Sequence, residues 1–448
     1  MKRRRQFLPV LFVVLAACLT ATGARSAAGP GDWPYWRGPN ADGMAVGDAP
    51  LEWSDTEHVR WTIDIPGLGH SSPVIWGDQI FLTTAIPVGA AGAALALAPA
   101  ERGGRTALVS SGPFAPHKFD VLSIDRKTGK ILWQRTARTA TPHEGAHAQY
   151  GSFASNSPIT DGRYVYAFFG SRGVYCYDMK GTLVWERDFG VQMRMKMSFG
   201  EGMAPVLAGD KLILVFDHEG DSFIVALDTR TGKDAWRVTR DEKTNWAAPL
   251  VVDYQGRTQV VVAATKKVRA YDLRDGALIW ECAGLGGNTI PQPVRQGDLV
   301  FVMSGYQNPK LMAIRLGREG DLTGTDAIAW TETRGLSYTP SPVIFGNKLY
   351  VLTDTGMLSC FNARTGQPYY HQARLPKPYS FKASPVGANG KLYLASEDED
   401  VVVVRMGETF EVLATNTMAD QTFIATPAIA DGEIYLRSKT RLYCVTAN

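Results

Sequence analysis

Cysteine is scarce, with five in 448 residues and no C-x-x-C-H among them, which excludes covalent haem attachment. One, Cys18, belongs to an N-terminal apolar run. The other four, Cys176, Cys282, Cys360 and Cys444, fall in different units of the repeat described below. They read as small buried side chains, even though an oxidising compartment would permit disulfides. A charge excess of one sign is also lacking. The formal net charge is +3, and Lys2, Arg3, Arg4 and Arg5 alone supply four positive charges, so the body lies within about one charge of neutrality. That balance, with both signs interspersed, gives nucleic acid no electrostatic footprint. Beyond the N-terminus no apolar run is long enough to span a bilayer, and nothing has the pattern of a long helix.

What the chain does have is 45 Gly, 25 Pro, 11 Trp, 17 Tyr and 18 Phe, a composition suited to many short strands joined by tight turns. Residues 1–28 read as a signal peptide: a basic start, the apolar run from Phe7 to Leu19, then small residues up to Ala28. Two processing routes compete. Leu15-Ala16-Ala17-Cys18 resembles a bacterial lipobox, which would leave Cys18 lipidated and tether the protein to a membrane. Cleavage near Ser26 or Ala28 would instead release a soluble product. Both routes predict export, to the periplasm or beyond it, with membrane contact only through a lipid anchor.

The remainder is a repeat. A proline preceded in most units by a small residue, then a few mostly apolar residues and a glycine-containing turn, recurs at Pro73, Pro158, Pro205, Pro249, Pro293, Pro342, Pro385 and Pro427. The intervals are 42 to 49 residues, apart from a first one of 85. Blade-like units of about 40–50 residues are the period of propellers. Blade four varies the turn, with Asp253 and Gly256. In each unit a third strand carries one small or modest residue at a fixed place: Ser123, Cys176, Ala226, Ala270, Ala313, Cys360, Val403 and Cys444. Such a residue leaves room for bulky side chains of a neighbouring blade. Two positions later Asp125, Asp178, Asp228, Asp272 or Asn362 opens a turn, for which an Asx side chain suits the backbone. A fourth strand follows with an aromatic residue: Trp133, Trp185, Trp236, Trp280, Trp330 or Tyr370, while blade seven has Val412-Leu413 there. Recurrence in unit after unit assigns these aromatics to docking blade on blade.

The eighth unit ends after three strands. Residues 59–65, just ahead of Pro73, supply a fourth, with Trp61 at the aromatic position. The expected fold is therefore all-β: an eight-bladed propeller of four-stranded antiparallel blades over 59–448, its last blade closed by the N-terminal strand. Closure of that kind leaves no long unpaired edge. Residues 29–58 form an N-terminal lead-in, and an Ala/Gly-rich insertion at about 85–118 accounts for the long first interval. A monomer is expected.

The stretch Asp228-Thr229-Arg230-Thr231-Gly232-Lys233-Asp234-Ala235-Trp236 resembles the tryptophan-docking motif of PQQ-like repeat propellers, and Asp125 to Trp133 matches it equally well. Trp33-Pro34-Tyr35-Trp36-Arg37-Gly38-Pro39 is similar to the W-P-x-W-R-G-P start of secreted bacterial members. The resemblance runs from about Trp33 to Asn448 and implies one of two functions. The first is a non-catalytic BamB-like scaffold that binds envelope or outer-membrane proteins and needs no cofactor. The second is a quinoprotein oxidoreductase that uses PQQ with calcium on alcohols or sugars. The vicinal Cys-Cys pair typical beside PQQ in many alcohol dehydrogenases is absent, and no residues match the family's calcium carboxylates, which favours the scaffold.

His143-Glu144-Gly145-Ala146-His147 matches H-E-x-x-H. Zinc hydrolysis needs that motif on a helix, with both imidazoles on one face. Pro142 and Gly145 argue against a helix, so neither a catalytic residue nor a metal site is assigned. In a propeller, the loops between strands two and three share a face with those between blades. Here they bring together His143, His147, Arg194, Lys196 and Arg240 with Trp246, Tyr306, Gln307, Asn308 and Lys382. Cations and aromatics near a central channel suit an anionic or aromatic ligand, PQQ included, or a protein partner; carbohydrate binding through loop aromatics is a third option. Glu397-Asp398-Glu399-Asp400 and Asp217-His218-Glu219-Gly220-Asp221 lack EF-hand spacing and read as solvated turns.

Overall fold

The computed structural model describes residues 28–29, 31–89, 109–110 and 114–447. Eight antiparallel sheets follow one another along the chain and close into a ring. Blade three is representative: Val206–Ala208, Lys211–Phe216, Ser222–Asp228 and Asp234–Arg240 pair in sequence order. The first strands of neighbouring blades touch, which places them innermost. The eighth blade takes Val59–Asp64 as its outer strand, hydrogen-bonded to Arg441–Val445 with Trp61 opposite Cys444. Both ends of the chain thus meet in one sheet, as expected. Blade four departs from the rule of four: Gly320–Asp321 leaves blade five and adds a fifth, parallel strand against Trp280 and Glu281.

The fixed small residue has a physical role somewhat different from the expected one. Ala226 lies directly opposite Trp236 on the outer side and Ile213 on the inner side of its own blade. Cys176 has the same relation to Trp185 and Tyr166, and Cys360 to Tyr370 and Tyr350. It leaves space between two bulky cross-strand partners within one sheet rather than for an adjacent blade. A register shift follows at this point, between Ala226 and Leu227 for example. All four described cysteines are buried free thiols.

Five tryptophan indoles reach across to the next blade. Nε1 of Trp61, Trp133, Trp185, Trp236 and Trp330 donates to the carbonyls of Arg126, Met179, Thr229, Leu273 and Ala363, at 2.9 to 3.1 Å. Each acceptor directly follows the Asp or Asn that opens the neighbouring turn. Trp280 differs, donating to Gln259 Oε1 inside its own blade. The Tyr370 hydroxyl is buried without a partner, its ring 5.8 Å from that of Phe410.

In blade one, the second strand runs to Pro87 and the third starts at His117, with Ala85 to Pro87 paired against Phe119 to His117. The ends of the expected 85–118 insertion are therefore strand. Its residues 90–108 and 111–113, and the signal segment with Cys18, lie outside the described residues.

Candidate functional site

The lead-in segment fills one end of the central channel. Trp33 exchanges two backbone hydrogen bonds with Ile75 of blade one, and the Pro34 carbonyl accepts from Thr160 of blade two. The Tyr35 hydroxyl donates to Gln292 of blade five at 3.2 Å. Fully buried Arg37 donates to the Pro385 and Pro342 carbonyls, at 2.7 and 2.6 Å, and to Asp42 O at 3.2 Å. Removal from water pushes its guanidinium down to about 10. The Gly387 carbonyl of blade seven then accepts from the Ala45 amide, and its amide donates to the Gly43 carbonyl, both at 2.8 Å.

Beyond this plug, on the axis, lies a cavity of about 680 Å³, floored in part by Trp36. In seven of the eight blades the residue before the opening proline lines it, and several of these residues are linked. The amide of Gln292 donates to Ser341 Oγ, Ser341 to Ser384 Oγ, Ser384 to Thr426 Oγ1, Thr426 to Ser72 Oγ, and Ser72 to Ser157 Oγ, at 2.9 to 3.0 Å. The equivalents in blades three and four, Ala204 and Ala248, have no hydroxyl and end the chain of bonds.

The walls are aromatic. His147 stacks on Tyr150 with centroids 4.2 Å apart, and Phe199 lies 5.2 Å from the same imidazole. Tyr306 packs 5.3 Å from Tyr338, and the Trp246 indole is anchored to Gly200 O at 2.8 Å. Two ammonium groups face these rings: Lys382 Nζ is 4.5 Å from the Tyr150 centroid and Lys196 Nζ is 5.9 Å from that of Tyr306. Burial lowers the pKa of His147, with Lys382 adding to it. Buried His70 is held neutral, its pKa pushed down to about 3 by desolvation and by Arg437 and Lys439.

Of the ten loop residues expected on this face, His147, Lys196, Trp246, Tyr306 and Lys382 line the cavity. The other five do not. Arg240 is a buried structural cation, bidentate to Asp217 at 2.7 and 2.9 Å and bonded to the Tyr271 hydroxyl. Arg194 bonds the Glu219 carbonyl at the exposed periphery. Gln307 and Asn308 form a left-handed hairpin tip with φ of 46° and 69°. His143 turns toward blade two, where Nε2 donates to the Met193 carbonyl at 2.7 Å and Nδ1 faces Arg172. The H-E-x-x-H stretch is irregular and its two imidazoles part company, so the zinc-hydrolase pattern has no geometric basis. His143, Glu144 and Glu201 do cluster within 4.8 Å of one another. Glu201, however, is taken up by Ser171 and by Arg172 Nη1 at 2.8 Å. Glu144 is pushed up to about 7 by burial, with Glu201 adding to the shift. The acidic tips are more than solvated turns. Asp217 is the buried partner of Arg240, and Asp400 is buried against Tyr379, Thr417 and Lys377.

Sequence reasoning missed the plug residues Trp36 and Arg37, the pair Tyr338 and Asp354, buried His70, and the hydroxyls. A signal for the hydroxyls was present, since five of the eight repeat prolines follow Ser or Thr.

Calcium takes six to eight oxygen ligands. The cavity offers two carboxylates, Asp354 and Glu201. Asp354 accepts from the amides of Tyr338 and Thr339 at 2.7 and 3.1 Å and faces Lys382 at 3.4 Å, while Glu201 is bound as described. Both are committed and each already has a cation beside it, so this donor set does not suit the calcium that would accompany PQQ.

No curated protein matches the sequence. The structure is similar to BamB from Moraxella catarrhalis, at 13% identity and a TM-score of 0.56, covering 87% of this chain and 97% of that one. It is also similar to quinohemoprotein alcohol dehydrogenase from Comamonas testosteroni, at 11% identity and 0.61, covering 96% and 82%. A quinohemoprotein alcohol dehydrogenase of Pseudomonas putida gives 12% and 0.57, covering 93% and 80%. At such identities these likenesses speak to fold alone. The family model described as outer membrane protein assembly factor BamB matches residues 117–329 and 320–417. Those residues amount to about two thirds of the sequence, and the chain belongs to that PQQ-like repeat propeller family.

Proposed function

We propose that this chain is an exported, non-catalytic propeller that acts by holding partner proteins, in outer-membrane or envelope assembly. The observation that carries this reading is the committed state of the axial carboxylates. A quinone dehydrogenase draws its chemistry from its cofactor and metal, and Asp354 and Glu201 are already matched to lysine, arginine and backbone amides. The ring is otherwise a rigid support for loops, which is where binding residues are best placed. The family match to an assembly factor points the same way. Residues 1–28 would supply the export signal, and the mass of the mature N-terminus distinguishes lipidated Cys18 from a soluble product.

The test is to incubate the purified mature protein with PQQ and calcium and offer alcohols and sugars with a redox dye. No dye reduction is expected. Turnover that requires both additions would overturn the reading in favour of a quinoprotein oxidoreductase. In parallel, a photo-crosslinker at exposed Gln307 should trap envelope proteins in intact cells, and crosslinks indistinguishable from those of an inert periplasmic control would count against it.

A further inference from the structure

Closing the ring leaves the outer strand of each blade with one free edge, a row of N–H and C=O groups with which another chain can pair. Among the described residues, the chain itself covers one of those edges. Gly320–Asp321 lies parallel against Trp280 and Glu281 of blade four. The Leu322 amide donates to the Glu281 carbonyl at 2.8 Å, and Thr323 Oγ1 accepts from the Ala283 amide at 2.9 Å. Ile279, the residue before the tryptophan, is only 6% exposed there, in an apolar cluster that includes Leu322 and Ala327 of the same excursion. Asp321 faces Lys267 at 3.3 Å. The molecule thus shows within itself what an outer edge takes: an extended segment carrying an aliphatic residue and a carboxylate.

Blade one has a matching edge with no strand on it among the described residues. Its outer strand, Ile131–Ala140, has ten residues, against five to seven in the other seven blades. Leu132, the counterpart of Ile279, is 50% exposed, and Ile131 beside it is exposed as well. The strand has no proline or glycine to interrupt pairing, and its only charges are Arg135 and Arg138. Arg138 is paired with Asp188, whereas among the described residues Arg135 bonds only the carbonyls of Gly181 and Gln134. That Gln134 carbonyl is the counterpart of the one on Glu281. Its partner, Arg135 Nη1 at 3.0 Å, is an exposed side chain that a backbone amide can replace. Lys118, on the adjoining strand, is exposed and has no carboxylate among the described residues. Blade two repeats the aliphatic pair as Leu183 and Val184, but its edge has five residues and carries Glu186.

We infer that the outer edge of blade one is a docking strand for an extended, acidic segment of a partner protein, which adds parallel to Ile131–Ala140 as a fifth strand. This rests on the scaffold reading above and deepens it, giving the partner a chemistry and a mode of attachment. The partner's backbone pairs with the edge, an aliphatic side chain covers Leu132, and carboxylates meet Arg135 and Lys118. In strand addition of this kind main-chain hydrogen bonds supply affinity and alternate side chains supply specificity. At roughly 3.3 Å per residue the edge is about 33 Å long, enough for a full-length strand.

The test uses the full mature chain and a synthetic peptide with the sequence of Glu319 to Asp326, which has three carboxylates and no basic residue. Hydrogen exchange, read by mass spectrometry over 131–140, reports on the edge. In the free protein the outward amides of this strand should exchange fast. Millimolar peptide should slow them about tenfold and leave 183–187 alone. The same peptide with lysine at its three acidic positions should have no such effect. Leu132→Asp and Thr136→Pro, checked for an unchanged unfolding midpoint, should each abolish the protection, the second because it removes the counterpart of the Ala283 amide. Should either lower the midpoint, Leu132→Ser replaces it with the same expectation. Slow exchange over 131–140 in the free chain, no protection by the peptide, equal protection by both peptides, protection of every outer strand alike, or protection unmoved by the variants would overturn the inference. Self-association that Thr136→Pro abolishes would also overturn it, in favour of a second copy of this chain. Any of these results with the Gln307 crosslinks retained and no dye reduction leaves the scaffold reading standing. Quinone turnover with the peptide protection intact would remove that reading and leave the edge as a binding site.

Discussion

Gly232 and Gly209 allow the contribution of tryptophan docking to be isolated within a single blade. Both have positive φ, 67° and 54°, and both sit in turns of blade three. An alanine Cβ at 209 would meet nothing within 4 Å, whereas at 232 it would lie 2.5 Å from Cε3 of Trp185. Gly209→Ala therefore carries only the left-handed backbone cost, about 1–2 kcal/mol. Gly232→Ala carries the same cost plus overpacking of about 1–3 kcal/mol. If the ring yields, the indole bond to Thr229 O, worth about 1 kcal/mol, goes as well. Urea unfolding should then place Gly232→Ala about 2–3 kcal/mol below Gly209→Ala. In a Trp185→Ala background that excess should vanish, because the ring it collides with is gone. Equal destabilisation by the two alanines, or an excess that survives removal of Trp185, would refute the view that turn glycine and indole form one joint. The same stacking recurs for Gly129 on Trp61, Gly181 on Trp133, Gly276 on Trp236 and Gly366 on Trp330, so the result bears on the whole ring.

The plug, the cavity wall and the His143 cluster give three further tests. Arg37→Met strands the carbonyls of Pro342, Pro385 and Asp42, and should cost about 3–5 kcal/mol in urea unfolding while making the lead-in segment more sensitive to protease; Arg37→Lys should not restore it. His70 has a folded pKa of about 3, below its ordinary value, so the unfolded chain takes up a proton first and stability is lost as pH falls from about 6.5 toward 3. The loss is on the order of 4–5 kcal/mol, and His70→Asn should flatten that limb of the pH–stability curve. Glu144 has the opposite sense: its carboxyl is raised to about 7, so stability declines as pH climbs from about 4.5 through 7, and Glu144→Gln should abolish that decline.

The fold was legible because its constraints are local and recur. A tryptophan in the fourth strand, a small residue opposite it and an Asx-opened turn beside it are all set within about 15 residues, and their recurrence, the small residue in all eight units, the tryptophan in six and the Asx turn in five, makes the pattern visible over noise. The closing strand was legible by subtraction, since three strands remained at one end and one at the other. What escaped notice were the exceptions. Trp280 bonds Gln259 in its own blade, and the next blade has Leu316 and an excursion to Asp326 where blades one to four and six have an Asx turn. That same excursion supplies Gly320–Asp321 as the fifth strand of blade four. Two residues of strand have no periodicity to read.

The site was legible only where its residues hang from loops of predictable position. Lys196, Trp246, Tyr306 and Lys382 could be placed on one face from blade count alone, but blade count does not tell a residue that turns inward from one like Arg240 that finds a buried carboxylate first. The plug was beyond reach for a different reason. Arg37 and Pro385 are separated by 348 positions, and no local rule ties a guanidinium near one end of a chain to a prolyl carbonyl near the other. Yet the prolines that punctuate the repeat are the ones whose carbonyls hold Arg37, and the residues before them are the ones whose hydroxyls line the cavity floor. At these positions ring closure and the cavity share residues: a hydroxyl there takes a neighbouring blade's amide N–H on its lone pair while lining the axial cavity. Three of the eight positions, Ala204, Ala248 and Gln292, carry no hydroxyl. Ring closure survives without a hydroxyl at those three, so closure does not by itself require the other five.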